Sequence, residues 1–281
     1  MAAIANIASS TMNVSPPNVE GAERTSNSST SNLLAVELLR RGYPMQAQNQ
    51  LKEAIAHVRD ELVVEAAPAA AAPSTHSSRP YLQSVDIEGG APNGAQDSWF
   101  AMFKKAFVIV TPLPSPSING EQPGSSNNNN AQQVHTTHVT LHSVVLMYNM
   151  ALATHVMAIS QGSDLILRRA VRVYQRVQWL LSQQAANLNG SGVDAVFLAC
   201  VNNIGHIHNL LLNEVGMRSC YSRLQAMVVE VQQRQVEQQQ QGQDMGMRID
   251  PEDVAFFSFT VIIWGPALAA TLTTLPLAPA A

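Results

Sequence analysis

The sequence predicts a mainly α-helical fold of antiparallel helical hairpins, with one short strand pair as an addition. Three observations carry this expectation. Apolar residues recur at three- and four-residue steps in several stretches, which gathers them on one stripe of a helix with a 3.6-residue period. Paired stretches are separated by only a few residues, which fits tight antiparallel helix connections. The intervening segments are rich in Ser, Asn, Gln, Ala and Pro and hold too few apolar side chains to join a core. With 281 residues, 46% of them hydrophobic, the chain can bury a core, but these segments reduce the folded part to one domain or a domain with a small satellite.

Residues 1–31 lack both the basic start and the sustained apolar run of a secretory signal and are expected to form a disordered lead. Residues 32–65 form the first hairpin, broken at Gly42-Tyr43-Pro44, where Pro suits the first turn of a second helix. Segment 66–98 is read as a linker, because its spaced prolines stop the helix that its alanines favour. A helical core follows over 99–237 and contains a disordered insert, 113–133. At its start, Phe100, Phe103 and Phe107 have helical spacing while 106–111 has the β-branched run of a strand, so a short helix is expected to pass into an extended segment ending at Pro112. Residues 139–159 are apolar on more than one side, the mark of a central helix. After Gly162-Ser163-Asp164, residues 165–181 place Ile166, Ala170, Val173, Tyr174, Val177 and Leu181 on one face.

The clearest hairpin is 197–231. Phe197, Cys200, Val201, Ile204, Ile207 and Leu211 line its first helix, and Met217, Cys220, Tyr221, Leu224 and Val228 its second. Gly205 inside the first helix costs roughly 1 kcal/mol relative to Ala, which a close approach by the second helix would explain. A Gln-rich low-complexity segment occupies 238–249. Segment 250–281 is apolar and without charge from Val254 onward; its aromatic and β-branched run 256–263 is expected to be a strand or a buried closing segment, pairing 257–262 with 107–110.

Asn203-Ile204-Gly205 followed by Tyr221 and Leu224 resembles the tetratricopeptide pattern, in which a small residue of one helix is crossed by large residues of the next. Leu34, Ala35, Leu38, Gly42, Ala47, Leu51 and Ala54 resemble a second copy, and Asn149-Met150-Ala151 with Ala170 and Tyr174 a third. Met217 and Leu212 stand where the family usually has Ala and the turn Gly, and the third copy has a longer connection. The resemblance implies that Ala151, Gly205, Tyr174, Tyr221 and Leu224 pack the hairpins and that the protein is a protein-binding adaptor or scaffold. The layout of hairpins with Asn/Gln and Ala/Pro inserts is also similar to proteins of eukaryotic microbes.

The sequence has no nucleophile elbow, phosphate-cradling loop, dinucleotide fingerprint or H-E-x-x-H pair, so no catalytic residue and no cofactor is expected. An enzyme accessory domain ranks third among the readings. His135, His138 and His142 stand at helical spacing, but no acidic or thiol ligand accompanies them, and a polar helix entry outweighs a metal site. Cys200 and Cys220 both fall on apolar faces and are expected to be reduced thiols, with a disulfide as the alternative; an intracellular, cytoplasmic location is expected, with membrane association as the rival. A net charge of −4 with only three lysines disfavours a nucleic-acid partner. The specific surface feature is Arg168, Arg172 and Arg176 at four-residue steps, flanked by Arg169, a ridge suited to an acidic peptide. The rival reading is an adaptor tethered to a membrane by 254–281, whose length matches a span.

Overall fold

The computed structural model describes residues 20–64, 81–87, 101–110, 128–184, 192–240 and 249–273. Within them the elements are α1 (Glu20–Arg40), α2 (Pro44–Val64), β1 (Tyr81–Asp86), β2 (Lys105–Val110), α3 (Asn128–Gln161), α4 (Asp164–Gln184), α5 (Val193–Leu210), α6 (Glu214–Gln240) and α7 (Pro251–Thr273). The fold is mainly α, as its periodicity requires. Each helix packs on the one before it in the chain, from α1 to α7, and β2 lies against α1 and α3. Successive helices therefore bury each other's apolar stripes, which none could do alone.

Three of the connections share one backbone design. Tyr43 N–H donates to Leu38 O at 2.9 Å, Ser163 N–H to Ala158 O at 3.0 Å, and Asn213 N–H to His208 O at 2.8 Å. These six-to-one bonds close α1, α3 and α5 with a left-handed residue before the donor: Gly42 at φ 75°, Gly162 at φ 60° and Leu212 at φ 54°. Glycine bears that conformation without strain, whereas an L side chain pays roughly 1–2 kcal/mol. Leu212 is also 90% exposed and contributes no burial. Leu212→Gly should therefore raise stability by about 1 kcal/mol, read as a higher melting temperature; a lower one would show that the leucine supports the turn.

α3 is the central helix. Leu141, Val144, Val145, Tyr148, Ala151 and Leu152 are all buried, because α2, α4, α5 and β2 surround it. Among the described residues, one stretch, Thr137–Gln161 in α3, is long and apolar enough to cross a membrane, and 67% of its most apolar window is buried inside this fold.

Several expectations need correction. The strand over 107–110 is present, but its partner is β1, with Ser84 opposite Phe107 and Leu82 opposite Ile109, and not 257–262. β1 lies inside the stretch read as linker. Residues 257–262 are helical, within α7. Burial there follows a helical period, at Val254, Phe257, Thr260 and Trp264, so docking of one face overrides the β propensity of the run. Pro266 is accommodated inside α7, since the carbonyl left without its N–H belongs to Ile262, an exposed residue. No helix forms over 101–104; the chain there is extended into β2. α1 begins at Glu20 and α3 at Asn128, both earlier than the lead 1–31 and the insert 113–133 allow, and α6 continues to Gln240. The third hairpin's connection is short after all, because α3 runs to Gln161. The expected disorder of 1–19 and 113–127, the linker reading of 66–80 and 88–98, and most of the Gln-rich segment 238–249 lie outside the described residues.

Candidate functional site

The ridge stands where its spacing places it. α4 turns Leu167, Ala170, Tyr174, Val177 and Leu181 inward, and its opposite stripe carries Arg168, Arg169, Arg172 and Arg176, all exposed. Leu165 and Trp179 extend the same stripe at either end, within about 100° of the helix circumference. Both are exposed, at 60% and 48%. The Arg176 guanidinium lies over the Trp179 ring, 4.0 Å from its centre, which restricts the side chain and covers one indole face. Several other surface arginines are held by acids. Arg41 Nε is 2.7 Å from Glu37, Arg234 bridges Asp194 and Glu230 at 2.8 Å, and Arg218 pairs with Glu214. Among the described residues none of the four α4 arginines comes within ion-pair distance of a carboxylate.

Beneath this surface, asparagines hold an extended segment of the chain itself. In the β1–β2 register the N–H and C=O groups of Lys105, Phe107 and Ile109 point away from β1 and need other partners. Asn149 of α3 supplies both for Phe107, accepting from its N–H at 3.0 Å and donating to its C=O at 2.8 Å. Asn203 of α5 does the same for Phe103, at 2.9 and 3.2 Å. Asn32 of α1 also donates to the Phe107 carbonyl, and the Tyr148 hydroxyl donates to that of Lys105. Side chains of three helices thus take the place of a third strand. Asn149 and Asn203 each stand two residues before the small residue of their helix, Ala151 or Gly205, so the repeat pattern marked them, but only tertiary contact reveals the clamp.

The packing residues divide. Ala151, Tyr174 and Leu224 are fully buried and Gly205 is buried in α5. Tyr174 also receives a hydrogen bond from Asn203 Nδ2 at 3.1 Å, and its ring lies against Tyr148. Tyr221 reaches elsewhere: it is half-buried, its hydroxyl donates to Val261 O at 3.2 Å, and a Cβ on Gly265 would sit 2.9 Å from that hydroxyl. The tyrosine and the small residue beside it therefore join α6 to α7. Cys200 and Cys220 are both free thiols, and burial pushes the pKa of each upward, to about 11 for Cys220.

His142, His155 and His206 are buried. The His138 and His142 rings lie 4.5 Å apart, and the side chain of His135 lies outside the described residues. Among the described residues no three metal-ligating side chains come together. His155 Nε2 and His206 Nδ1 are 3.1 Å apart in the core, an arrangement that keeps at least one ring neutral. Burial, with His138 beside it, lowers His142 to about 4, and burial, with Lys104 nearby, lowers His206 to about 4. His155 is lowered further by burial and by His206. These groups are neutral in the fold, whereas the unfolded chain takes up protons below about pH 6.5, so stability falls as pH drops from about 6.5 towards 4. At about pH 5 His142 and His206 should each account for roughly 2 kcal/mol of loss. Urea unfolding at pH 7 and pH 5 checks this, and equal midpoints would contradict it.

Comparison with protein-family models, curated proteins and solved structures finds no match to this chain.

Proposed function

We propose that the protein is a tetratricopeptide-like helical adaptor that binds an acidic segment of a partner protein on the arginine ridge of α4. The observation that carries this reading is the contrast between Arg168, Arg169, Arg172 and Arg176, which have no carboxylate partner among the described residues, and Arg40, Arg41, Arg218 and Arg234, which do. Asp164, four residues before Arg168, is the one acid at helical spacing to the ridge, and it forms no ion pair with Arg168, so the stripe from Arg168 to Arg176 retains its positive potential in a chain of net charge −4.

Arg168→Gln, Arg172→Gln and Arg176→Gln together keep helix propensity and remove three charges, so the fold should be retained within about 0.5 kcal/mol. A fluorescent Glu-rich peptide should bind the native protein, weaken with added salt, and lose affinity for the triple variant. Equal affinity for the triple variant, or no binding of any acidic peptide, sinks the reading.

The second reading, a membrane tether through 254–281, draws on the outward stripe of α7, where Phe259, Ile262 and Ile263 are exposed. Flotation of the full chain with neutral phosphatidylcholine vesicles, lost in Phe259→Ser with Ile262→Ser, would favour it; absence of flotation removes it.

A further inference from the structure

We infer that the occupant of the ridge is an α-helix of the partner, lying along α4 with its carboxylates at four-residue steps against Arg168, Arg172 and Arg176 and its apolar ends over Leu165 and Trp179. The inference rests on the adaptor reading and adds the conformation and register of the partner segment.

Two features of α4 select a helix. The first is the spacing of the charges along the stripe. Successive arginines at four-residue steps are about 6 Å apart along the axis, the spacing of acids at four-residue steps on a facing helix. An extended peptide advances about 6.8 Å for each pair of residues and drifts out of register along the ridge.

The second feature is the position of the exposed apolar residues. Leu165 and Trp179 are about 21 Å apart along α4 and bracket the charges. An apolar–cationic–apolar stripe calls for a partner of apolar–acidic–apolar order, with the indole already ordered by Arg176.

Three labelled peptides of equal length and charge test the inference by fluorescence anisotropy with the full-length protein. One carries Glu at i, i+4 and i+8 between flanking leucines on a helix-favouring Ala/Gln background. A second has the same residues with the Glu positions scrambled around the helix. A third places Glu at alternate residues around a central Pro, which keeps it extended. The in-register peptide should bind about tenfold tighter than the scrambled one, as the sum of three exposed ion pairs allows. It should gain helical circular dichroism on binding and lose its advantage with Arg168→Gln, Arg172→Gln and Arg176→Gln. Equal binding of all three, or tighter binding of the extended one, overturns the helical occupant while a response to the triple variant still upholds the ridge. Absence of binding by every peptide overturns both. A single-stranded oligothymidylate that binds the ridge more tightly than any peptide overturns the assignment to a protein partner.

Discussion

Asn203→Ala should destabilise the fold by about 3 kcal/mol, a loss of roughly two orders of magnitude in the folding equilibrium. The side chain serves several buried groups at once. Without it the Phe103 N–H and C=O lose their partners, and the Tyr174 hydroxyl loses its donor. Each buried polar group left unsatisfied costs about 1–3 kcal/mol, and a water entering the space left by the amide recovers part of that. Asn203→Asp keeps the acceptor for the Phe103 N–H but sets an anion against the Phe103 carbonyl in a fully buried site, and should cost more still. Asn149→Ala should cost somewhat less, because the Phe107 N–H loses its acceptor while Asn32 still donates to the Phe107 carbonyl. Urea unfolding at neutral pH measures all three. If Asn203→Ala moved the midpoint by the equivalent of less than 1 kcal/mol, Phe103 would be held by the packing of its ring alone.

The second large effect is expected from α7. Phe257 is fully buried, with its ring 4.8 Å from that of Phe103, and Phe256 meets the same ring edge-on at 5.3 Å. At the start of α7, Asp253 is 2.7 Å from the Lys105 ammonium. Burial alone would lower the lysine, but Asp253, with Asp86 and Asp250 nearby, raises its pKa above the ordinary value. Removing 251–281 therefore exposes the phenylalanine cluster and leaves Lys105 half-sequestered without its anion. The truncated protein should aggregate when expressed. Phe257→Ala is the milder form of the experiment and should cost about 3–5 kcal/mol as a loss of buried ring volume. A monodisperse truncated protein with an unchanged melting temperature would show that α7 is an appendage to a core complete without it.

The helices and their inward faces were legible because they are encoded locally. A three- and four-residue recurrence such as Ala170, Tyr174, Val177 and Leu181 specifies both the helix and the side it buries, and Gly42 and Gly162 end their helices by adopting a conformation that other residues avoid. The ridge was legible for the same reason, since a stripe opposite an apolar face is exposed wherever that face is buried. Leu212, which stands where the resembled repeat has its turn Gly, takes glycine's left-handed conformation, and the same hydrogen-bond pattern closes the turn there.

The order of α1 to α6, their buried faces and the arginine stripe on α4 are written in local periodicity. The tertiary structure decided whatever depends on residues distant in the chain. β2 found its partner in β1, twenty-odd residues earlier, because the hairpin leaves its outer edge to be satisfied by Asn32, Asn149 and Tyr148, and no local period announces which side chains will meet that edge. Residues 257–262 have strand-like composition, yet they are helical because one face of α7 buries Phe257, Thr260 and Trp264 against the domain. Tyr221 turned to Gly265 for a similar reason, with α7 seated beside α6 and glycine leaving room for its hydroxyl. Periodicity is a property of neighbours along the chain and is written in it, whereas the free energy of pairing an edge or docking a face is settled only when distant segments meet.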